Sequence, residues 1–428
     1  MSRRAGGEHL VSIDARPASN CESARSSRFR PYFLRSTLIR VQWALPRADA
    51  CVPSRVNAAH TARAAVANNT TTDPTTMNTT RSASSSAAST WPIFVLLAIV
   101  GLFYVKWFPY YNRAFTAAST HSIGTSILMG KASSAPAPSW SAALAYALAY
   151  GKAIWQAMVL GLLLGSAVQA LLPAHWVARL LGKTGFGSVA AGGLLALPGM
   201  MCTCCAAPVV AGLRARQASP GGAIAFWLGN SVLNPATLVF MGFVLGWHWA
   251  GLRLVLGVAM VFGLGYLVNR LVTPAEAQAA DTRLVELIGE QRDENPFARW
   301  LSIFVRMAVR LVPEYIVLVL LLGAARAWLF PQVGPEIGNE LVWIVALAVA
   351  GMLFVIPTAG EVPIIQAMLS LGMGVGPAGA LLMTLPPISV PSLAMLARSF
   401  RPRVLTLVAV GVVAFGVLAG LLAVALGF

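Results

Sequence analysis

Leu197-Pro-Gly-Met-Met-Cys-Thr-Cys-Cys-Ala-Ala-Pro208 interrupts an apolar stretch running from about residue 186 to 213. That interruption decides the fold. Pro198, Gly199 and Pro208 open the backbone hydrogen-bond ladder of a helix, and in lipid the freed groups must be met by neighbouring protein or by a hydrated cavity. The segment is too long and too punctuated for one ordinary helix, so it is expected to be a broken or re-entrant one. A second stretch, about 341 to 371, carries Pro357, Gly360 and Pro363 and reads the same way.

Around these two stretches the chain from residue 91 to its end is a succession of long apolar segments. Hydrophobic residues make up 57% of the sequence and charged residues 11%, too little charge for a soluble domain of this size. A helix needs about 20 apolar residues to cross a bilayer core of about 30 Å. Trp91 to Phe108 meets that length, as do stretches near 142–172, 186–213, 222–246, 251–269, 303–330, 341–371, 377–397 and 404–427. The expected fold class is therefore all-α: a polytopic helical membrane protein with about 8 to 10 transmembrane segments. Trp107, Phe108, Tyr110 and Tyr111 read as an aromatic belt at headgroup level.

The net charge of +16 does not point to nucleic acid. Its arginines sit at helix ends, in short loops and in the N-terminal extension, a distribution that follows the positive-inside bias of membrane proteins. The five cysteines form no disulfide framework, because Cys202, Cys204 and Cys205 cluster inside one apolar segment.

Five regions follow from composition. Residues 1–76 are Arg- and Ser-rich with few acids and no long apolar run, and are expected to be disordered. Such a leader resembles an organellar transit peptide, but translating a GC-rich region upstream of the true start gives the same bias, and a start at Met77 is preferred. Residues 77–139 hold a first membrane helix and a polar loop. Residues 140–270 and 300–428 form two related helical halves. Between them, 271–299 is an acidic, charged connector, expected to be cytoplasmic.

The halves correspond in order. Pro208 matches Pro363; Pro220, Gly222 and Ala223 match Pro377, Gly379 and Ala380; Pro235 matches Pro391, with the offset staying between 155 and 157 residues. Paired interrupted segments in two halves point to a transport site near the bilayer midplane, although membrane helices also tolerate Pro and Gly without symmetry. Parallel and inverted arrangements both remain open. A simple count of spans puts Arg398, Arg401 and Arg403 outside, and re-entrance of 341–371 would bring them back in.

Cys202, Cys204 and Cys205, beside Met200 and Met201, offer soft donors to a thiophilic substrate such as trivalent arsenic or monovalent copper. Buried cysteine is also a common small hydrophobe. Glu361 lies in the second broken segment, where an ionisable side chain is expensive and is by default a functional candidate. It reads either as a proton-coupling carboxylate or as a negative charge at a helix N-terminus. Asn230 and Asn234 share one helical face and would either contact substrate or hold helices together. Gln156, Gln169 and Gln366 are weaker cases of the same kind. Glu314, one turn beyond Arg310, reads as an intrahelical ion pair. Pro198, Pro208, Pro357 and Pro363 are the expected helix breaks. Gly192-Gly193 and Gly221-Gly222 lack the context of a phosphate loop and read as close helix packing. No hydrolase or kinase constellation appears, so neither an enzymatic role nor a cofactor is expected.

PGMMCTCCAAPVVAGL (198–213), AIAFWLGNSVLNPATLVFMGFVLG (223–246) and PTAGEVPIIQAMLSLGMGVGPAGALLM (357–383) resemble a bacterial predicted-permease family. Its motif is C-x-C-x-x-x-P followed by a helix with an Asn-Pro pattern. One branch, the ArsP-type permeases, exports trivalent organoarsenicals. The resemblance covers about residues 140–428 and carries onto Cys202, Cys204, Pro208, Asn234, Pro235, Glu361 and Pro363. Cys205 stands where the family has a glycine, and this additional thiol bears on selectivity among soft substrates.

The expected function is a secondary permease in a bacterial inner membrane, moving a small molecule or soft ion, with efflux and proton coupling implied. The alternatives are a membrane thiol–disulfide electron carrier and an accessory membrane subunit. Expected partners are the substrate and the lipid bilayer, with no nucleic acid. An oligomer is compatible with the sequence.

Overall fold

The protein is described by a computed structural model covering residues 90–129, 136–272, 295–330 and 334–428. The expected N-terminal extension and most of the 271–299 connector lie outside the described residues. Among the described residues every regular element is a helix: α1 (Trp91–Leu102), α2 (Phe108–Thr120), α3 (Trp140–Leu171), α4 (Ala174–Leu181), α5 (Phe186–Ala196), α6 (Thr203–Ala215), α7 (Pro220–Val232), α8 (Pro235–Val244) and α9 (Trp247–Leu271). They continue with α10 (Pro296–Leu329), α11 (Leu341–Leu353), α12 (Glu361–Ser370), α13 (Val375–Thr384), α14 (Val390–Leu396) and α15 (Pro402–Ala425). Six helical stretches among the described residues are long and apolar enough to cross a membrane. Their outer faces expose Leu96, Leu148, Val255, Leu321 and Val410. In water this would be an aggregation-prone surface, whereas against lipid it is the solvent-facing side.

Hydrogen bonds between helix termini fix the direction of each element. Arg216 and Arg299 both donate to the Gln169 carbonyl at the C-terminus of α3, and Thr90 Oγ1 donates to Leu171 O at 3.1 Å. Ser219 N donates to Leu181 O at 2.7 Å, and the Ser219 and Ser188 hydroxyls meet at 3.0 Å. Thus α1, α5, α7 and α10 begin where α3 and α6 end; this is the Arg216 end. At the opposite end His121 Nδ1 lies 2.7 Å from Phe243 O, and Gln366 Nε2 donates to His121 O at 3.0 Å. There α2, α8, α10 and α12 finish, and α9, α11 and α13 start.

Two segments do not cross. Helix α5 rises from the Arg216 end, breaks over residues 197–202, and α6 returns to the same end. Helix α11 enters from the His121 end, breaks over 354–360, and α12 goes back. The expected broken segments are therefore re-entrant hairpins, dipping in from opposite ends. The second hairpin also restores the arginine pattern: the Arg214 guanidinium lies 5.6 Å from the Phe400 ring, so Arg398, Arg401 and Arg403 gather at the Arg216 end.

The prolines act differently from one another. Pro198 and Pro357 lie in the breaks, where Met200 (φ 47°) and Ala359 (φ 64°) adopt left-handed backbone. Each such residue costs about 1–3 kcal/mol and persists because its surroundings hold it. Pro208 and Pro363 do not break a helix, contrary to the sequence expectation. Pro208 sits inside α6, and Pro363 is in the first turn of α12, where its missing N–H has no intrahelical partner to lose.

Lipid offers no hydrophobic drive between helices, so packing and hydrogen bonds must hold the hairpins. Helices α3 and α6 run parallel and touch backbone to backbone. A Cβ on Gly161 would lie 2.1 Å from the Cys205 carbonyl oxygen, and one on Gly165 would lie 2.4 Å from that of Pro208. Carbonyls at and beside the tips accept from side-chain donors: Trp107 Nε1 to Pro198 O at 2.8 Å, Trp227 Nε1 to Thr203 O at 3.1 Å, and the Tyr146 hydroxyl to Val355 O.

The first span extends further than its hydropathy indicates. Pro109 cannot donate to Val105 O, and the helix passes this point through a π-helical turn, Phe103–Trp107, before continuing as α2 to Thr120. Trp107 is therefore level with the tip of the first hairpin rather than with the headgroups.

Candidate functional site

The Cys-Thr-Cys-Cys run opens α6. Cys202 is its extended N-cap residue, and Cys205 lies one turn further on, which brings their sulfurs to 3.0 Å. Cys204 points away, with Sγ 3.7 Å from the Ser389 hydroxyl and in contact with Tyr315. All three thiols are free and buried. The run is thus one pair plus one separate thiol, because positions three apart on a helix share a face and positions two apart do not.

Cys202 borders a crevice of about 10 Å³ together with Ser231, Thr358, Glu361 and Pro386. The crevice therefore joins the two hairpin tips. Beside it lies a cavity of about 700 Å³ that reaches the His121 end. Lys106, Tyr110, Arg113, Thr125, Ser126, Gln156 and Thr358 supply its polar lining, and Pro357–Gly360 with Pro363 form the side belonging to the second hairpin. Lys106 sits in the π-helical turn and is only 4% exposed. Its Nζ reaches Tyr110 Oη at 3.2 Å and Thr358 Oγ1 at 3.3 Å, and its charge is close enough to interact with Cys205 and Cys202.

Glu361, the first residue of α12, is fully buried and paired. Arg253 Nη1 of α9 donates to its Oε1 at 2.6 Å. The same guanidinium holds the last carbonyls of α7, with Nε to Val232 O at 3.0 Å and Nη2 to Ser231 O at 2.6 Å. Arg253 thereby links the α7–α8 break of the first half to the tip of the second hairpin. Glu361 also stands in the first turn of α12, so its carboxylate lies at the positive end of that helix, as the helix N-terminus reading has it.

The asparagines are chiefly structural in this conformation. Asn234 Oδ1 caps α8 by accepting from Ala236 N and Thr237 N, and Asn230 Nδ2 donates back to Phe226 O at 2.9 Å. One amide atom of each, Asn230 Oδ1 and Asn234 Nδ2, is buried without a partner. Neither residue lines the large cavity. Gln169 packs helices by donating to Gly165 O and Met307 Sδ, while Gln156 lines the cavity. The expected Arg310–Glu314 pair does not form: Glu314 lies 3.8 Å from Arg398, because α14 packs over that face of α10.

Sequence reading missed Lys106, Arg253, Tyr146, Tyr150, Tyr315 and Thr358. For Lys106 and Arg253 the signal was present, a single cation within an apolar helix. The hydroxyl residues carried none, since Tyr and Thr are common in membrane helices.

Comparison with known proteins places this geometry in context. The ArsP_1 family model, described as a predicted permease, matches residues 98–269 and 139–425. The chain is similar to the UPF0718 protein YraQ of Escherichia coli strain K12, with 52% identity over 331 residues, covering 77% of this chain and 94% of that protein. No solved structure matches.

Proposed function

This chain belongs to the predicted-permease family, and we propose that it is a secondary transporter moving a small thiophilic substrate by alternating access. The family describes a permease; the substrate, the coupling and the direction are our reading. The observation that carries it is the Cys202–Cys205 pair, 3.0 Å apart at the tip of one hairpin and facing the tip of the other. Two thiols one helical turn apart suit a trivalent arsenical, whose arsenic bonds to both sulfurs while the two thiol protons leave with its oxygen as water.

The halves are read as an inverted repeat. Long helix, hairpin, interrupted pair and long helix occur in α3–α9 and again in α10–α15, with the hairpins entering from opposite ends. Such repeats alternate access by rocking one half against the other around a midplane site. The cluster of arginines makes the Arg216 end cytoplasmic by the positive-inside bias. We read the membrane as the bacterial inner membrane and the direction as efflux, as the resemblance to organoarsenical exporters implies. Glu361 becomes a proton site only when Arg253 releases it, so proton coupling requires that pair to open during the cycle.

Uptake of phenylarsine oxide into everted vesicles tests this reading. The expected result is accumulation that depends on the chain and collapses when the proton gradient is dissipated. Accumulation no greater than in vesicles lacking the chain would reject the arsenical, and insensitivity to the gradient would reject the coupling.

A second reading has one observation in its favour. Cys202 and Cys205 are close enough to oxidise to a disulfide, as a membrane thiol–disulfide carrier would require. The second half offers no partner cysteine, so electrons would have to enter and leave through this one pair. Trapping a mixed disulfide with a second protein would support this carrier role.

A further inference from the structure

We infer that the cavity of about 700 Å³ is an anion-binding vestibule and that the transported molecule is an organic anion bearing a soft group. The inference rests on reading this cavity as the substrate path.

Three observations carry it. The described lining holds two cations, Lys106 and Arg113, and no carboxylate, so the field in this cavity favours negative charge. Lys106 is buried in an apolar helix, a position costing about 2.5–3.5 kcal/mol on insertion scales. Tyr110 and Thr358 account for two of its three N–H donors. Neither is a carboxylate, so neither balances the charge. Finally, Ser126 is 3% exposed, lines the cavity and has no hydrogen-bond partner among the described residues. A buried hydroxyl left unpaired costs about 1–3 kcal/mol, which an anion oxygen would offset.

Size points the same way. Sites for organic ligands run from about 300 to 1,000 Å³, far more than a bare metalloid oxide fills. A carboxylate or sulfonate held between Lys106, Arg113 and Ser126 would direct the other end of the molecule past Thr358 toward Cys202 and Cys205. Thiolates at those cysteines are the competing counter-charge for Lys106, and the two accounts differ in what they predict for external anions.

Calorimetric titration of the full chain in lipid nanodiscs with 4-arsenosobenzoate, a carboxylate that carries a thiophilic trivalent arsenic, and with its uncharged amide decides between them. The anion is expected to bind at least tenfold more tightly than the amide. Lys106→Gln should abolish that preference, and Lys106→Arg should retain it. Arg113→Gln, at the exposed rim, should reduce it severalfold and provides a reading should the Lys106 variants not fold. Equal affinity of acid and amide, no binding of the acid, or a preference indifferent to Lys106→Gln or to Arg113→Gln would overturn the inference and leave Lys106 as a partner of the thiols alone. Binding is read without transport. A chain that binds the anion yet moves nothing in vesicles would defeat the permease reading while leaving this site intact.

Discussion

Arg253 and Glu361 lie 108 residues apart in sequence and 2.6 Å apart in space, and their buried ion pair joins the first half of the chain to the second. Removing one partner of a buried pair strands the other charge, which typically costs about 3–5 kcal/mol. Arg253→Met should therefore destabilise the protein strongly, and Glu361→Gln should do so less. The double variant should recover much of the loss. Thermal unfolding in detergent across this double-mutant cycle measures the coupling; additive effects would mean that the pair does not join the halves energetically.

The sulfur pair predicts selective oxidation. Diamide should take two electrons and two protons from Cys202 and Cys205, closing a disulfide within α6. Mass-tag alkylation should then detect two protected thiols in the native chain and in Cys204→Ser, and none in Cys205→Ser. A disulfide that survives Cys205→Ser would show that the pairing at the tip is different.

Backbone contact between α3 and α6 makes a third case. A side chain on Gly165 meets the Pro208 carbonyl, so Gly165→Val should force the helices apart at a cost of about 1–3 kcal/mol. Gly151 lies on the same helix with nothing within 4 Å of its added Cβ, and Gly151→Val is the matched control. Thermal stability should fall in the first variant and stay unchanged in the second. Equal behaviour of the two would contradict the close approach.

Much of this architecture is legible in the sequence because membrane physics leaves few options. Uninterrupted apolar length marked the long spans, and Pro198-Gly199 and Pro357-Gly360 marked the two hairpins. Orientation was not legible, since hydropathy is blind to whether a broken helix crosses or returns; only contacts such as Arg216 with Gln169 and Gln366 with His121 decide it. Pro208 misled because a proline inside a membrane helix can be accommodated by close neighbours, here Gly165. At the site, the C-x-C-C spacing announced the thiols but not their division into a pair and a single. The long-range partners of Glu361 and Lys106 lay 108 and 252 residues away, beyond any local pattern.

Uptake of phenylarsine oxide by everted vesicles carrying Cys202→Ala/Cys205→Ala, beside the native chain and Cys204→Ala at equal membrane abundance, tests the central claim most directly. If the paired thiols receive the substrate, uptake by the double variant falls to that of vesicles lacking the chain, while Cys204→Ala retains most of it. Undiminished uptake by the double variant would contradict the account.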